Sequence, residues 1–123
     1  MKLSKTEEHL MEIIWNHKKA FMKDLIDSFP DPKPATTTLA TLLKRMQDKG
    51  FVGYTVFGNS REYYPLVNKD DYFSKHVNGM IRNYFGNSSL QFASFFTTKS
   101  NMTKAELEDL KKIIDQEIKK KEE

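Results

Sequence analysis

Apolar side chains recur along the chain first with a helical period, then with a strand period, then with a helical period again. Leu10, Ile13 and Ile14, with Trp15 beside them, mark the buried face of a first helix. It starts behind Ser4-Lys5-Thr6-Glu7, which has the form of a capping box, and stops at Asn16-His17-Lys18-Lys19. Met22, Leu25, Ile26 and Phe29 sit at i, i+3, i+4 and i+7 and predict a second helix, which Pro30, Pro32 and Pro34 end. Leu39, Leu42, Leu43 and Met46 repeat that spacing in a third helix. It opens near Ala35-Thr36-Thr37-Thr38, with Thr36 or Thr37 as the expected N-cap, and closes at Lys49-Gly50. Phe51-Val52-Gly53-Tyr54-Thr55-Val56 and Glu62-Tyr63-Tyr64-Pro65-Leu66-Val67 are rich in aromatic and β-branched residues. They flank the turn residues of Phe57-Gly58-Asn59-Ser60-Arg61 and predict a β-hairpin.

Asn68-Lys69-Asp70-Asp71 punctuates the chain. A fourth helix follows, with Phe73, Val77, Met80, Ile81 and Tyr84 in one stripe, and Gly86-Asn87-Ser88-Ser89 breaks it. A short helix from Leu90 to Phe96 holds Phe92, Phe95 and Phe96, and Thr97 to Asn101 reads as a polar loop. Thr103-Lys104-Ala105-Glu106 is a second capping box, opening a last helix with Leu107, Leu110, Ile114 and Ile118. The predicted fold class is mainly α with a small β-hairpin: a winged helix-turn-helix DNA-binding domain over residues 1–68, then a helical dimerisation segment over 69–123. So small a helical unit buries too little surface to stand alone. Its apolar stripe, Phe73, Val77, Met80, Ile81, Tyr84, Leu107, Leu110, Ile114 and Ile118, is therefore expected to pair two copies of the chain.

Composition narrows the chemistry. Cysteine is absent, which excludes disulfides, thiolate metal sites and cysteine nucleophiles. His9, His17 and His76 are far apart and show no ligand spacing, so no metal and no cofactor is expected. No nucleophile–base set stands out, and an enzyme is not expected. The start lacks an apolar secretory core and no run approaches membrane-spanning length, so a cytoplasmic chain without membrane insertion is expected. The net charge of +3 is only mildly basic; local placement matters more. With its apolar stripe inward, helix three presents Thr36, Thr37, Thr38 and Thr41, then Lys44 and Arg45. A recognition helix enters the major groove by its first turns, where short hydroxyls allow close approach and cations neutralise phosphate. These residues, with Asn59 and Arg61 at the hairpin tip, are the expected contacts to double-stranded DNA. Arg45 has an alternative use in pairing with Asp48 or Glu62. Trp15, Tyr54, Tyr63 and Tyr64 are expected to close the core beneath the sheet.

Leu10-Met11-Glu12-Ile13-Ile14-Trp15, Thr38-Leu39-Ala40-Thr41-Leu42-Leu43-Lys44-Arg45-Met46 with Lys49-Gly50-Phe51-Val52, Tyr64-Pro65-Leu66-Val67, and Met102 to Leu110 together resemble the penicillinase-repressor family, in its BlaI/MecI branch rather than the copper-responsive CopY branch, whose C-terminal cysteines are missing here. The resemblance implies a homodimeric repressor of antibiotic-resistance genes that binds a palindromic operator. It also implies relief by C-terminal cleavage, triggered by a membrane sensor metalloprotease. The cleaved Asn-Phe bond of that family aligns with Phe95-Phe96, and Ala40 stands where staphylococcal members carry arginine. Two rival readings are a PadR- or MarR-like regulator with a ligand at its dimer interface, and a winged helix that serves only as a protein-interaction module.

Overall fold

In the computed structural model, which describes residues 2–123, the first capping box forms as its sequence requires. The Ser4 hydroxyl accepts the Glu7 amide at 3.2 Å and Glu7 Oε1 accepts the Ser4 amide at 2.8 Å. This opens α1, Lys5–His17. The order continues with β1 (Ala20–Phe21), α2 (Met22–Asp27), α3 (Thr36–Asp48), β2 (Val52–Phe57), β3 (Ser60–Pro65), α4 (Lys69–Tyr84), α5 (Ser89–Lys99) and α6 (Lys104–Glu122). The chain divides into two compact units, the first ending at Ser74 and the second running from Lys75 to Glu123.

The first unit is a winged helix around one core. Leu10, Met11 and Ile14 of α1, Leu25 of α2, and Leu39, Leu43 and Met46 of α3 are almost wholly removed from solvent, with Val52 and Tyr63 beneath the sheet. Helix α3 ends as its glycine demands. Gly50 adopts φ 82°, and the Phe51 and Gly50 amides bond back to the Met46 and Gln47 carbonyls, closing a Schellman motif that feeds β2 directly. The sheet has three antiparallel strands in the order β1-β3-β2, with Ala20 opposite Tyr63 and Tyr54 opposite Tyr63 on the other side. Strand β1 is not legible in the sequence. Two residues are too short to show a period, and their pairing with β3 is long-range. Pro65 closes the central strand at its last position, where its missing amide costs no inner ladder bond.

Several expectations are corrected. Helix α2 ends at Asp27; Phe29 lies in the turn that follows and still packs on the core, stacked on His9 at 5.1 Å. The N-cap of α3 is Ala35, with no side-chain cap, so neither Thr36 nor Thr37 serves that role. Tyr63 closes the core, but Tyr54 is exposed. Helix α5 runs on through Lys99, so Thr97 to Lys99 are helical rather than loop, and the Phe95-Phe96 bond lies inside a helix. The first unit also continues past Asn68 into α4. Buried Tyr72 donates to Glu8 Oε2 at 2.7 Å and packs edge-on against Phe51, and Phe73 meets the rings of Trp15 and Tyr72. Trp15 donates to the Val67 carbonyl at 2.8 Å, and Lys69 pairs with Glu12 at 2.7 Å. These bonds fasten the start of α4 to α1.

The second unit is organised around aromatic contacts. Phe85 meets Phe92 and Phe95, each at 5.4 Å between centroids, and Phe92 stacks on Phe96. Thr103 and Glu106 form the second capping box and open α6. Ile81 is buried, but no residue of α5 or α6 is. Val77, Met80, Tyr84, Leu107, Ile114 and Ile118 all remain exposed, and Leu110 is only half-buried.

The Glu7 carboxylate is the one buried acid among the described residues of the first unit's core. Its Oε1 accepts Lys49 Nζ at 2.6 Å, and Lys49 also donates to the Lys2 carbonyl, so the start of α1 is tied to the end of α3. Oε2 is buried without a hydrogen-bond partner among the described residues. Burial pushes the Glu7 carboxyl up, but the Lys49 ammonium and the Ser4 amide and hydroxyl together outweigh it and hold it below its ordinary value. A lowered carboxyl stabilises the fold fully above the unfolded value near 4.5, and the contribution fades as pH falls through the lower folded value. Glu7→Gln is expected to lower stability at neutral pH by about 1–3 kcal/mol, because Lys49 loses the negative charge it is paired with. The gap to wild type should narrow as pH falls below the unfolded value and through the lower folded one. Urea melts across that range check both outcomes.

Candidate nucleic-acid interface

Burial of Leu39, Leu42, Leu43 and Met46 sets the rotation of α3 about its axis. Thr36, Thr37, Thr38, Ala40, Thr41, Lys44, Arg45 and Asp48 lie away from that stripe, and Thr37, Thr38, Thr41 and Lys44 are exposed as a result. The first turn is open in two senses. Its side chains are small, and its N-cap is an alanine that takes up none of the free amides. The Thr38 and Leu39 amides bond to the Ala35 carbonyl, which leaves those of Thr36 and Thr37 directed along the positive end of the helix dipole. An anionic oxygen suits that end.

Further along, the Thr41 hydroxyl donates to the Thr37 carbonyl at 3.0 Å. This fixes its rotamer and leaves the oxygen's acceptor capacity available. Lys44 Nζ pairs with Asp48 Oδ1 at 3.0 Å, one turn on, with both side chains well exposed. Such a pair is worth less than about 1 kcal/mol, so a phosphate can displace the carboxylate. The sequence allows Arg45 a pairing with Asp48 or Glu62; in the structure Lys44 takes Asp48 instead, and Arg45 forms no ion pair among the described residues.

The wing is the β2–β3 hairpin. Its two-residue turn, Gly58-Asn59, places glycine at the first central position with φ 59°, where a side chain would be strained and where the turn's twist matches the strands. Alternation along the register puts Val52, Tyr54 and Val56 of β2 on one face with Arg61 and Tyr63 of β3. Buried Val52 and Tyr63 identify this as the face turned toward the helices. Arg61 thus extends from the same side of the sheet as α3, whereas Asn59 sits exposed at the tip of the turn. The Arg61 guanidinium lies 4.3 Å from the Tyr54 ring centroid. The place of Tyr54 is not legible in the sequence, because alternation along a strand does not reveal which strand of the sheet is the edge.

The two sets of candidates therefore occupy different units. Thr36 to Arg45 and Arg61 belong to the first; Val77, Met80, Ile81, Tyr84, Leu107, Leu110, Ile114 and Ile118 belong to the second. Phe73 falls in the first unit, against Trp15 and Tyr72. Among the described residues no helix is long and apolar enough to cross a membrane, and no group of three or more His, Asp or Glu side chains is placed to hold a metal ion.

Comparison with known proteins agrees with this architecture. The structure is similar to the solution structure of the DNA binding domain of the repressor BlaI, with a TM-score of 0.51 and 25% identity, over 58% of this chain and 88% of that one. The sequence is 26% identical over 113 residues to the methicillin resistance regulatory protein MecI of Staphylococcus aureus (strain N315), covering 91% of this chain and 92% of the relative. MecI of Staphylococcus epidermidis matches to the same extent. The sequence profile of the penicillinase repressor family matches residues 3–116, nearly the whole length. The chain belongs to the penicillinase repressor family, on its BlaI/MecI side.

Proposed function

We propose that this protein is a DNA-binding transcriptional repressor that occupies an inverted-repeat operator as a homodimer. The observation that carries the reading is the exposed face of α3, which offers an uncapped first turn, small hydroxyls at Thr37, Thr38 and Thr41, and cations at Lys44 and Arg45. The helix N-terminus and the threonines suit close approach to base edges and phosphate in the major groove; Lys44, Arg45 and Arg61 suit the flanking phosphates. Family membership and the likeness to the DNA binding domain of BlaI support the same reading.

The second unit supports the homodimer. Its stripe on α4 and α6 stays exposed in a single chain, and a second copy is the occupant that a palindromic operator requires. Relief by cleavage in the second unit, set off by a membrane sensor metalloprotease, is the regulation that fits this assembly. Cutting at Phe95-Phe96 would separate α6 from α4 in each subunit. Because that bond lies inside α5, the helix must open locally before a protease can bind it.

Lys44→Ala is expected to weaken binding to all duplexes. It should also reduce the slope of log affinity against log salt by about one for each phosphate that Lys44 no longer neutralises, hence about two in a dimer. Asp48→Asn should act in the opposite direction, tightening binding about two- to five-fold by releasing Lys44 and removing a negative charge near the phosphates. Salt titrations of the full chain read both. Unchanged binding in both folded variants would exclude α3 as the reader.

Ile114→Glu combined with Ile118→Glu should shift the full chain from dimer to monomer in sedimentation at micromolar concentration, with thermal unfolding of the first unit retained. A wild-type chain that sediments as a monomer would overturn the homodimer. Intact-mass analysis of the repressor recovered after induction tests the switch. A fragment ending at Phe95 is expected, and only full-length chain would remove proteolysis from the account.

A further inference from the structure

Arg61 is a long, flexible side chain near the end of a narrow hairpin, a poor way to aim a cation. The structure gives it a support. Its guanidinium carbon lies 4.3 Å above the ring of Tyr54, which is diagonal to it across the β2–β3 ladder. Tyr54 is itself held, because its ring meets that of Tyr63, its direct cross-strand partner, at 6.0 Å and 57°. Tyr63 is buried in the core. A chain of contacts thus runs from the core through Tyr63 and Tyr54 to Arg61. Tyr54 stands on the edge strand β2 and stays partly exposed, whereas Tyr63 on the central strand is buried.

We infer that Tyr54 is a positioning residue for DNA binding, presenting a flat ring that holds the Arg61 guanidinium with its N–H edges directed outward to the duplex. A contact with the π face of a ring takes up no oxygen acceptor, and a guanidinium laid flat on that ring keeps its five in-plane donors able to bond phosphate oxygens or acceptors at a groove edge. Arg61 forms no ion pair among the described residues that would compete. Fixing the side chain before it meets the duplex removes part of the ordering cost of binding. The inference rests on the DNA-binding reading above and assigns a part to a residue that does not itself touch DNA.

The test is a double-mutant cycle on the full chain, with Arg61→Ala, Tyr54→Leu and the two together, plus Tyr54→Phe. Affinity is measured against salt on a mixed-sequence duplex and on a duplex enriched from a random pool by the wild-type chain. Tyr54→Leu is expected to weaken binding about three- to ten-fold, the scale of one stacking interaction per wing in a dimer. The double variant should bind no more weakly than Arg61→Ala, and Tyr54→Phe should restore wild-type affinity. In the free protein, the Arg61 Hδ and Hε resonances should carry a ring-current shift that persists in Tyr54→Phe and vanishes in Tyr54→Leu. Additive losses in the cycle, wild-type affinity in Tyr54→Leu, or no effect of Arg61→Ala would each overturn the positioning role while leaving DNA binding by α3 intact. Failure of the wild-type chain to bind either duplex in a salt-dependent manner would instead overturn the function and this inference with it.

Discussion

Everything this protein offers to a partner depends on how four side chains of one helix are buried. Leu39, Leu42, Leu43 and Met46 occupy a single stripe of α3 and join Leu10, Met11, Ile14 and Leu25 in the core. A helix with one buried stripe has a single rotational setting, because turning it would expose that stripe and bury the charges opposite. The same packing that stabilises the fold thus aims Thr37, Thr41 and Lys44 at solvent. Both ends of α3 are then fixed by other means. The Schellman turn at Gly50 directs the chain into β2, and the bond from Lys49 to buried Glu7 ties the helix end to the start of α1. At the N-terminal end no side chain caps the helix, and that end is the one left open to a ligand.

The two units are stabilised in different ways. In the first, the apolar stripes of three helices and the inner face of the sheet are satisfied by one another, and its core residues are almost fully withdrawn from water. In the second, amphipathic helices carry comparable stripes, but only Ile81 is buried among the described residues; the aromatic contacts of Phe85 with Phe92 and Phe95 cover one patch. Exposed apolar area on that scale is unfavourable in water and is relieved by association. The first unit thus satisfies its apolar surface within itself, and the second leaves much of its own uncovered in a single chain.

Tyr72 and Trp15 show how the start of the fourth helix is held. It begins inside the first unit, where Tyr72 is buried against Phe51 and bonded to Glu8. Burial and the Glu8 carboxylate push the Tyr72 phenol up to about 12, so it stays a neutral donor at any ordinary pH. The composition break at Asn68 to Asp71 marks the start of the helix, whereas the packing boundary falls one turn later, at Ser74.

What the sequence determined alone was whatever depends on local period and local capping: the three helices and hairpin of a winged helix, both capping boxes, the glycine stop of α3, and the outward face of that helix. Each is decided by residues within a few positions of one another. What only the tertiary structure decided depends on partners distant in the chain, on how the chain enters or leaves an element, or on which of several allowed local pairings is taken. Strand β1 exists because β3 is beside it. Ala35 is the N-cap of α3 because of how the chain enters the helix, although three threonines follow it. Lys44 rather than Arg45 reaches Asp48, although the i+4 and i+3 spacings allow either pairing. Helix α5 extends to Lys99 although Thr97 and Thr98 are weak helix formers, the Thr97 hydroxyl bonding back to the Ala93 carbonyl. Tyr54 and Tyr63 are the same residue type in adjacent strands, directly opposite each other. Tyr63 stands on the central strand and is buried, Tyr54 stands on the edge strand and is exposed, and only the strand order, set by the long-range pairing of β1 with β3, separates a core tyrosine from one that meets an arginine.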